Sequence, residues 1–359
     1  MDRPVLKVFA HCIPVKGYSR SVVCDLARQQ LICIPHALHH IMTTMQGRSK
    51  AEIYAAFEAN GHDALHEYFE RMEAQEWICW LEPGELELFP LLPLDWDFPG
   101  RVSNAVIDVA AQSRHDMPAI VAQLEALGCY AIQLRWFAQE PVTGFITGFM
   151  ACLEGRDIKS VELLCRYHEE DTSGPVLQAW CRRYARIKTI TVFDAPAAGI
   201  YALAEDNRFG NIVFTTQPLA GAHQCGVVDP FYFCVNTGHY TESLQHNTCL
   251  NRKIAIDADG FIKNCPSMQE HFGHISDTPL QQVLLQPLFK QYWTITKDQV
   301  AVCGDCEFRR VCADCRAYVE RPGDAYSKPL KCGYDPYTCT WQEWSTHPLK
   351  QQALSFYGL

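Results

Sequence analysis

Hydrophobic and polar positions divide the chain into three regimes. Across residues 1–95, short β-favouring runs at 6–10, 21–26 and 31–34 are separated by turn-like stretches, and the last two lie close enough for a hairpin. Three helices follow. Pro35 suits a first helical turn and Gly47 a stop, framing a helix over 37–46; Ser49 and Glu52 have the spacing of a capping box; Asp63 caps a third helix with Leu65, Phe69 and Met72 on one face. Residues 77–81 and 86–89 read as the strands of a wing, and the proline-rich LFPLLPLDWDFPG, ending at Gly100, as a linker. The pattern predicts a small α+β unit.

Beyond the linker, β-favouring runs at 105–109, 130–136, 160–167, 189–193 and 211–215 alternate with helical stretches at 117–127, 141–153 and 175–187. A repeat of roughly 27 to 30 residues is the spacing of right-handed parallel crossovers. The expectation for 100–220 is an α/β layer, either a partial barrel or an open sheet. Residues 216–245 form a connection rich in aromatics, and from 249 onward periodicity fades. There the fold is expected to be organised by metal.

At 359 residues, with 48% hydrophobic and 20% charged positions, bulk disorder is excluded, and about 150 residues per domain gives two or three domains. The formal charge of −10 repels phosphate backbones, and Glu52, Glu58, Glu67, Glu70 and Glu73 make the second and third helices acidic. No nucleic-acid partner is expected. Apolar runs fall short of the roughly 18 residues of a membrane span, and the start MDRPVLKVFAHC has no signal-peptide h-region. The expected location is the cytoplasm, away from membranes.

The 18 cysteines change the picture, because in a reducing cytosol many thiols point to metal binding or catalysis rather than disulfides. Ten are scattered over 1–240; the other eight, Cys249, Cys265, Cys303, Cys306, Cys312, Cys315, Cys332 and Cys339, fall within 249–339. CGDCEFRRVCADC sets Cys303, Cys306, Cys312 and Cys315 at C-x2-C-x5-C-x2-C. A CxxC loop delivers two thiolates from one turn, the convergence an iron–sulfur cluster needs; a four-sulfur zinc would staple the same loops. Cys249 and Cys265 follow C-x10-G-x4-C, and DADG at 257–260 is a tight turn that puts them at the ends of a hairpin. Asp257 and Asp259 lack the remainder of a calcium loop. Arg309, Arg310, Arg316, Lys328 and Lys331 lie among the cysteines, placed to raise the potential of an anionic cluster or to bind an acidic peptide. His36, His39 and His40 read as surface residues of the first helix, and His223 beside Cys225 is left open as a ligand.

The phrases CLNRKIAIDADGFIKNCPSM, KDQVAVCGDCEFRRVCADCRAY and SKPLKCGYDPYTCTW resemble the SPASM domain, the C-terminal twin-cluster extension of many radical S-adenosylmethionine peptide-modifying enzymes. More narrowly they look like the peptide maturase of grasp-with-spasm systems, in which a SPASM protein is encoded beside an ATP-grasp ligase and a ribosomally made precursor peptide. The resemblance is close over 220–345 and implies a SPASM domain at 245–345. It implies that Cys303, Cys306, Cys312 and Cys332 hold one [4Fe–4S] cluster, and that Cys249, Cys265 and Cys315 hold a second that is one ligand short. Three residues usually separate the last two clustered cysteines, where this chain has only Ala313 and Asp314. Cys225, Cys234 or Cys339 supplies the missing thiolate, or the iron keeps an open site and acts as a Lewis acid.

Radical S-adenosylmethionine enzymes bind their catalytic cluster through C-x3-C-x2-C after the first barrel strand. Here no two cysteines are four apart, and the loop AAQSRHDMPA holds none. The resemblance therefore implies a degenerate radical SAM-like β/α domain over 100–220 that does not make the radical in the usual way, with S-adenosylmethionine not expected as a cofactor but its binding left open. Cys12, Cys24 and Cys33 read as packed small hydrophobes. Residues 1–95 resemble the RiPP recognition element, a winged-helix-like module that takes leader peptides as an added strand, here along 31–34 beside the helix 64–76. The implied function is maturation of a ribosomally synthesised peptide beside an ATP-grasp ligase. Three modes are open: an enzyme working through the under-ligated cluster, a non-catalytic adaptor presenting the precursor to the ligase, and a radical enzyme with rearranged ligands.

Overall fold

The computed structural model describes residues 4–202 and 211–359; residues 1–3 of the expected N-terminal unit and 203–210 of the middle one lie outside the described residues. The N-terminal part runs β1 (Val5–Val8), β2 (Cys12–Lys16), β3 (Ser21–Asp25), β4 (Gln30–Ile34), α1 (His36–Thr44), α2 (Lys50–Ala55), α3 (His62–Ala74) and β5 (Ile78–Leu81). Strands β2, β3 and β4 form an antiparallel sheet in that order, and β1 pairs with β5. The pattern did not mark β2, where Pro14 interrupts the run; it is tolerated because β2 is an edge strand with one free side. The capping box of Ser49 and Glu52 forms at α2, and Leu65, Phe69 and Met72 are buried on one face of α3.

Two local expectations are corrected. Gly61, not Asp63, holds the cap position of α3; Asp63 lies in the first turn, where its charge favours the positive helix end. Residues 83–88 form a 3-10 turn rather than a wing strand, with Pro83 at its start, so β5 pairs with β1 instead.

The middle part runs β6 (Asn104–Val109), α4 (Met117–Ala126), β7 (Ala131–Trp136), α5 (Thr143–Cys152), β8 (Ser160–Arg166), α6 (Gly174–Arg183), β9 (Ile187–Phe193), β10 (Gly199–Ala202) and β11 (Asn211–Phe214). Near-continuous apolar runs such as AVIDV make strands that can be covered on both faces, as parallel sheets require. Gly128 closes the turn from α4 to β7 at φ +71°, which favours glycine. The C-terminal part has α7 (Thr237–Gln245), β12 (Lys253–Ile256), β13 (Ile262–Lys263), α8 (Leu280–Val283), β14 (Tyr334–Asp335), β15 (Thr340–Trp341) and α9 (Gln351–Tyr357), with long irregular stretches between.

The molecule is mixed α/β, built on an eight-stranded sheet of order β10-β11-β9-β8-β7-β6-β12-β13. Strands β12, β6, β7, β8, β9 and β11 are mutually parallel, and the hairpin partners β10 and β13 run antiparallel at the two edges. The hairpin around DADG thus forms as expected, and it also extends the central sheet through β12 against β6. No helix of the described residues is long and apolar enough to cross a membrane.

The N-terminal sheet is buried on both faces. Cys12, Val23 and Ile34 pack against α1 to α3, while Val15, Val22 and Cys24 pack against Val228, Val235, Phe308, Val311 and Tyr334 of the cysteine-rich part. Cys12 and Cys24 are therefore packed as expected, whereas Cys33 is exposed on β4.

Candidate functional site

Two groups of four cysteines converge in the C-terminal part. In the first, Cys303 and Cys306 flank a single 3-10 turn, entered through Val302 at φ +67°. The Phe308 amide then donates to Cys306 Sγ at 3.4 Å, and the chain folds back to bring Cys312 in. Cys332 arrives from a turn after Pro329 and bridges to Val228. These four thiols, with Val228, Phe233, Phe308, Tyr334 and Trp341, line a small cavity of about 20 Å³. Burial pushes the Cys303 thiol up to about 12 and also raises Cys306 and Cys312, so in the apo protein the neutral thiol is favoured and a metal must displace the protons to bind.

Two cations line that cavity, Arg309, which pairs with Asp298, and Lys297. Lys297 is 5% exposed, and its Nζ donates to Cys312 Sγ at 3.2 Å. Burial pulls its ammonium down, yet Cys312 and Cys303, then Asp314 and Cys332, raise it above the usual lysine range. A buried ammonium is costly unless paired with an anion, and here its nearest partner is sulfur. The arrangement fits an all-thiolate centre carrying net negative charge.

The second group gathers Cys249, Cys265, Cys315 and Cys225. Cys249 follows a turn in which Asn247 Oδ1 accepts from its amide at 3.0 Å, and Cys265 ends the hairpin. Cys315 feels Cys249 and Cys265, Cys265 feels Cys249 and Cys225, and burial first, then these neighbours, pushes Cys315 up to about 12 and Cys265 up to about 11. Gly226, at φ +86°, lets the chain carrying Cys225 cross this group: a Cβ there would stand 2.7 Å from Cys315 Sγ. Lys253 Nζ lies 3.6 Å from Cys249 Sγ, and Arg135 Nη1 donates to Cys225 Sγ at 2.8 Å. Arg135 also grips Asp108 through two bonds of 2.6 and 2.7 Å, a pair set by the register of β6 and β7. Lys331, 2% exposed, donates to the Cys225 carbonyl at 2.9 Å.

The geometry brings Cys225 to the three cysteines that lacked a fourth. Cys234 is exposed with its sulfur toward the Tyr232 carbonyl, and Cys339 lies by Tyr334 and the Pro336 carbonyl. His223 offers Lys331 its backbone carbonyl. The cations named from sequence mostly serve elsewhere: Arg309 and Arg310 pair with Asp298, Arg316 with Asp314, and Lys328 reaches the Tyr334 carbonyl. Of those five, Lys331 reaches the Cys225 carbonyl and Arg309, besides Asp298, the Cys306 carbonyl at 2.9 Å, while Lys297, Lys253 and Arg135 were not singled out. Lys297, six residues before Cys303, and Lys253, four after Cys249, were findable as cations beside ligands; Arg135, 90 positions from Cys225, was not.

Among the described residues, His11, Cys12 and Asp25 are the one trio of metal-binding side chains whose ligand atoms all lie within 4.8 Å, so no three cysteine sulfurs approach that closely. The trio itself is neutralised by Arg28, whose Nη1 is 3.0 Å from Asp25 and 3.4 Å from His11 Nε2.

At the expected position of a catalytic cluster, the loop 110–116 after β6 carries no thiol; Ser113 Oγ donates to the Ala258 carbonyl at 2.5 Å and Gln112 to Asp259 at 3.2 Å, docking it on the DADG turn. A cleft of about 420 Å³ opens between the segments that follow Cys265 and Cys315, walled by Tyr292, Tyr318, Phe356 and Tyr357.

No family model matches the chain, and no curated protein matches it. Among solved structures, the crystal structure of Streptococcus suis SuiB bound to S-adenosylmethionine is similar over 90% of this chain and 98% of that one, at 10% identity and a TM-score of 0.36. A likeness that remote supports no conclusion about this chain.

Proposed function

We propose that the protein holds two [4Fe–4S] clusters, one on Cys303, Cys306, Cys312 and Cys332 and one on Cys225, Cys249, Cys265 and Cys315, and that it serves the maturation of a ribosomally synthesised peptide. The observation that carries the cluster reading is the lysine beside each thiol group, bonded to sulfur and lacking a carboxylate partner of its own among the described residues. Bound there, the clusters supply one-electron storage and transfer. The protein's own residues hold the thiolates, neutralise them and wall them with aromatics. With Cys225 as fourth ligand the second centre is closed, which favours an electron carrier over a Lewis acid.

The peptide side of the reading rests on the sequence resemblance together with β4, an edge strand with one unpaired side. A leader peptide adds there as a strand, and the partner that acts on the presented peptide is an ATP-grasp ligase. The 100–220 unit is then a degenerate radical SAM-like barrel remnant, with the 1–95 and 245–345 units as its neighbours in sequence. The thiol-free loop after β6 favours a protein that does not cleave S-adenosylmethionine itself.

Iron, sulfide and EPR on anaerobically purified protein test this. Two clusters' worth of iron is expected, halved by Cys225→Ser and unchanged by Cys234→Ser. Stoichiometric zinc in place of iron, or equal loss in both variants, sinks the reading.

A further inference from the structure

The cleft of about 420 Å³ beside the second cysteine group combines aromatic rings with charge in a way that holding a cluster does not require. Its rings are placed by local folding. In α9, Ala353 and Leu354 are buried against Cys315, Tyr318 and Leu330, which leaves Phe356 61% exposed and Tyr357 half-buried at the end of the helix. Tyr357 meets Tyr318 edge-on with ring centres 5.2 Å apart, and Phe356 at 5.1 Å. The Val319 amide donates to the Tyr357 hydroxyl at 3.4 Å, and Ser267 bonds the Tyr318 hydroxyl. Both phenols are therefore anchored by the segments that follow Cys265 and Cys315, as buried tyrosines require.

Three charged residues, Glu270, Arg316 and Asp324, line the cleft, and two are already balanced. Asp324 lies 2.7 Å from Arg321. Arg316 lies 2.7 Å from Asp314, donates to the Ala325 and Ser327 carbonyls at 3.0 and 2.7 Å, and has no exposed side-chain surface. This cation, expected from the sequence to meet an acidic peptide, is closed off. Lys331, outside the lining, stands 4.3 Å from the Tyr318 ring centre, but it is 2% exposed and donates to the His223 and Cys225 carbonyls. Glu270 remains. It is exposed, accepts one bond of 3.0 Å from Gln291, and has no ion-pair partner among the described residues. An exposed carboxylate is ordinary by itself. Set on a concave wall of four aromatic rings it is half of a cation site, because ring faces attract an ammonium or guanidinium while its aliphatic stem packs against them.

We propose that this cleft binds a basic side chain, lysine or arginine, of the peptide that the protein serves. The stem lies along Tyr292, Tyr318, Phe356 and Tyr357, and the cationic head meets Glu270. The assignment rests on the peptide reading above and adds a substrate class to it, at a site separate from the β4 edge. The formal charge of −10 favours a ligand of the same sign.

Isothermal titration of the anaerobic, full-length, cluster-loaded protein tests this, with iron counted first. The probe is acetyl-Gly-Gly-Lys-Gly-Gly-amide, beside a counterpart with norleucine for lysine, which keeps the stem and loses the charge. The lysine peptide is expected to saturate one site, and the norleucine peptide to bind about tenfold more weakly. Glu270→Gln weakens the lysine peptide by about the same factor and leaves the norleucine peptide unchanged, whereas Phe356→Leu weakens both. Both side chains are exposed, so neither variant puts the fold at stake. Equal affinity for the two peptides, an unchanged lysine affinity in Glu270→Gln, or no saturable binding of the lysine peptide overturns the assignment. Iron short of two clusters counts against the parent reading instead, and the cleft is still read by titrating the same sample.

Discussion

Single side chains set the chemistry here through what burial does to their charge. Lys297 is tolerable inside only because sulfur lies 3.2 Å away. Glu242 shows the converse on α7. Burial pushes its carboxyl up to about 7 from 4.5, opposed by a 2.9 Å bond from Asn251 and by Lys253 and Arg252. The folded state therefore holds this proton more tightly than the unfolded chain. Its stabilising effect is complete below pH 4.5 and is lost as pH rises towards about 7, because the unfolded carboxylate ionises first. Between pH 6 and pH 7 the loss is about 1 kcal/mol. Glu242→Gln removes that part of the slope; urea unfolding of both proteins at the two pH values measures it, and parallel slopes refute it.

At the scale of elements, strand identity followed from composition, whereas neighbours did not. The runs that became β6, β7, β8, β9 and β11 were legible because apolar stretches between helical periods have one stable solution, the right-handed parallel crossover. Strand β10 and the 3-10 turn at 83–88 were not, since a short run such as GELEL carries no periodic signal strong enough to choose between turn and strand. The free side of β4 carries the prediction proper to this scale. A leader that adds as a strand protects the amides of Gln30–Ile34 from hydrogen exchange. Exchange with and without precursor peptide, read by mass spectrometry, is expected to show new protection there; protection confined to other elements rules out this docking edge.

Over the whole molecule, the N-terminal sheet is not an appendage, because its second face is part of the core under the first cysteine group. Arg20 fixes that junction. Its Nε donates to Glu307 at 2.6 Å and its Nη2 to Tyr334 at 3.1 Å, and the Glu307 side chain has no exposed surface. Arg20→Ala leaves a buried carboxylate without its cation, at a cost of about 3 kcal/mol. Loss of cluster absorbance and of secondary structure at one shared, lowered midpoint on heating is the expected result; an N-terminal transition that moves alone shows that the two parts are uncoupled.

The amino-acid order by itself determined the αβ alternation, the capping box at Ser49 and the tight turn at DADG, because each of these is a short-range spacing written within a few residues, whereas the grouping of Cys332 with Cys303, Cys306 and Cys312, and of Cys315 with Cys249 and Cys265, came from the resemblance. Only the tertiary structure decided that Cys225 rather than Cys234 or Cys339 completes the second group, that Lys297, Lys253 and Arg135 are the cations at sulfur, and that β12 returns to pair with β6. Those contacts join residues up to 149 positions apart, as Lys253 against Asn104, and they exist because burying one apolar sheet forces distant loops, with the charges they carry, into the same small space.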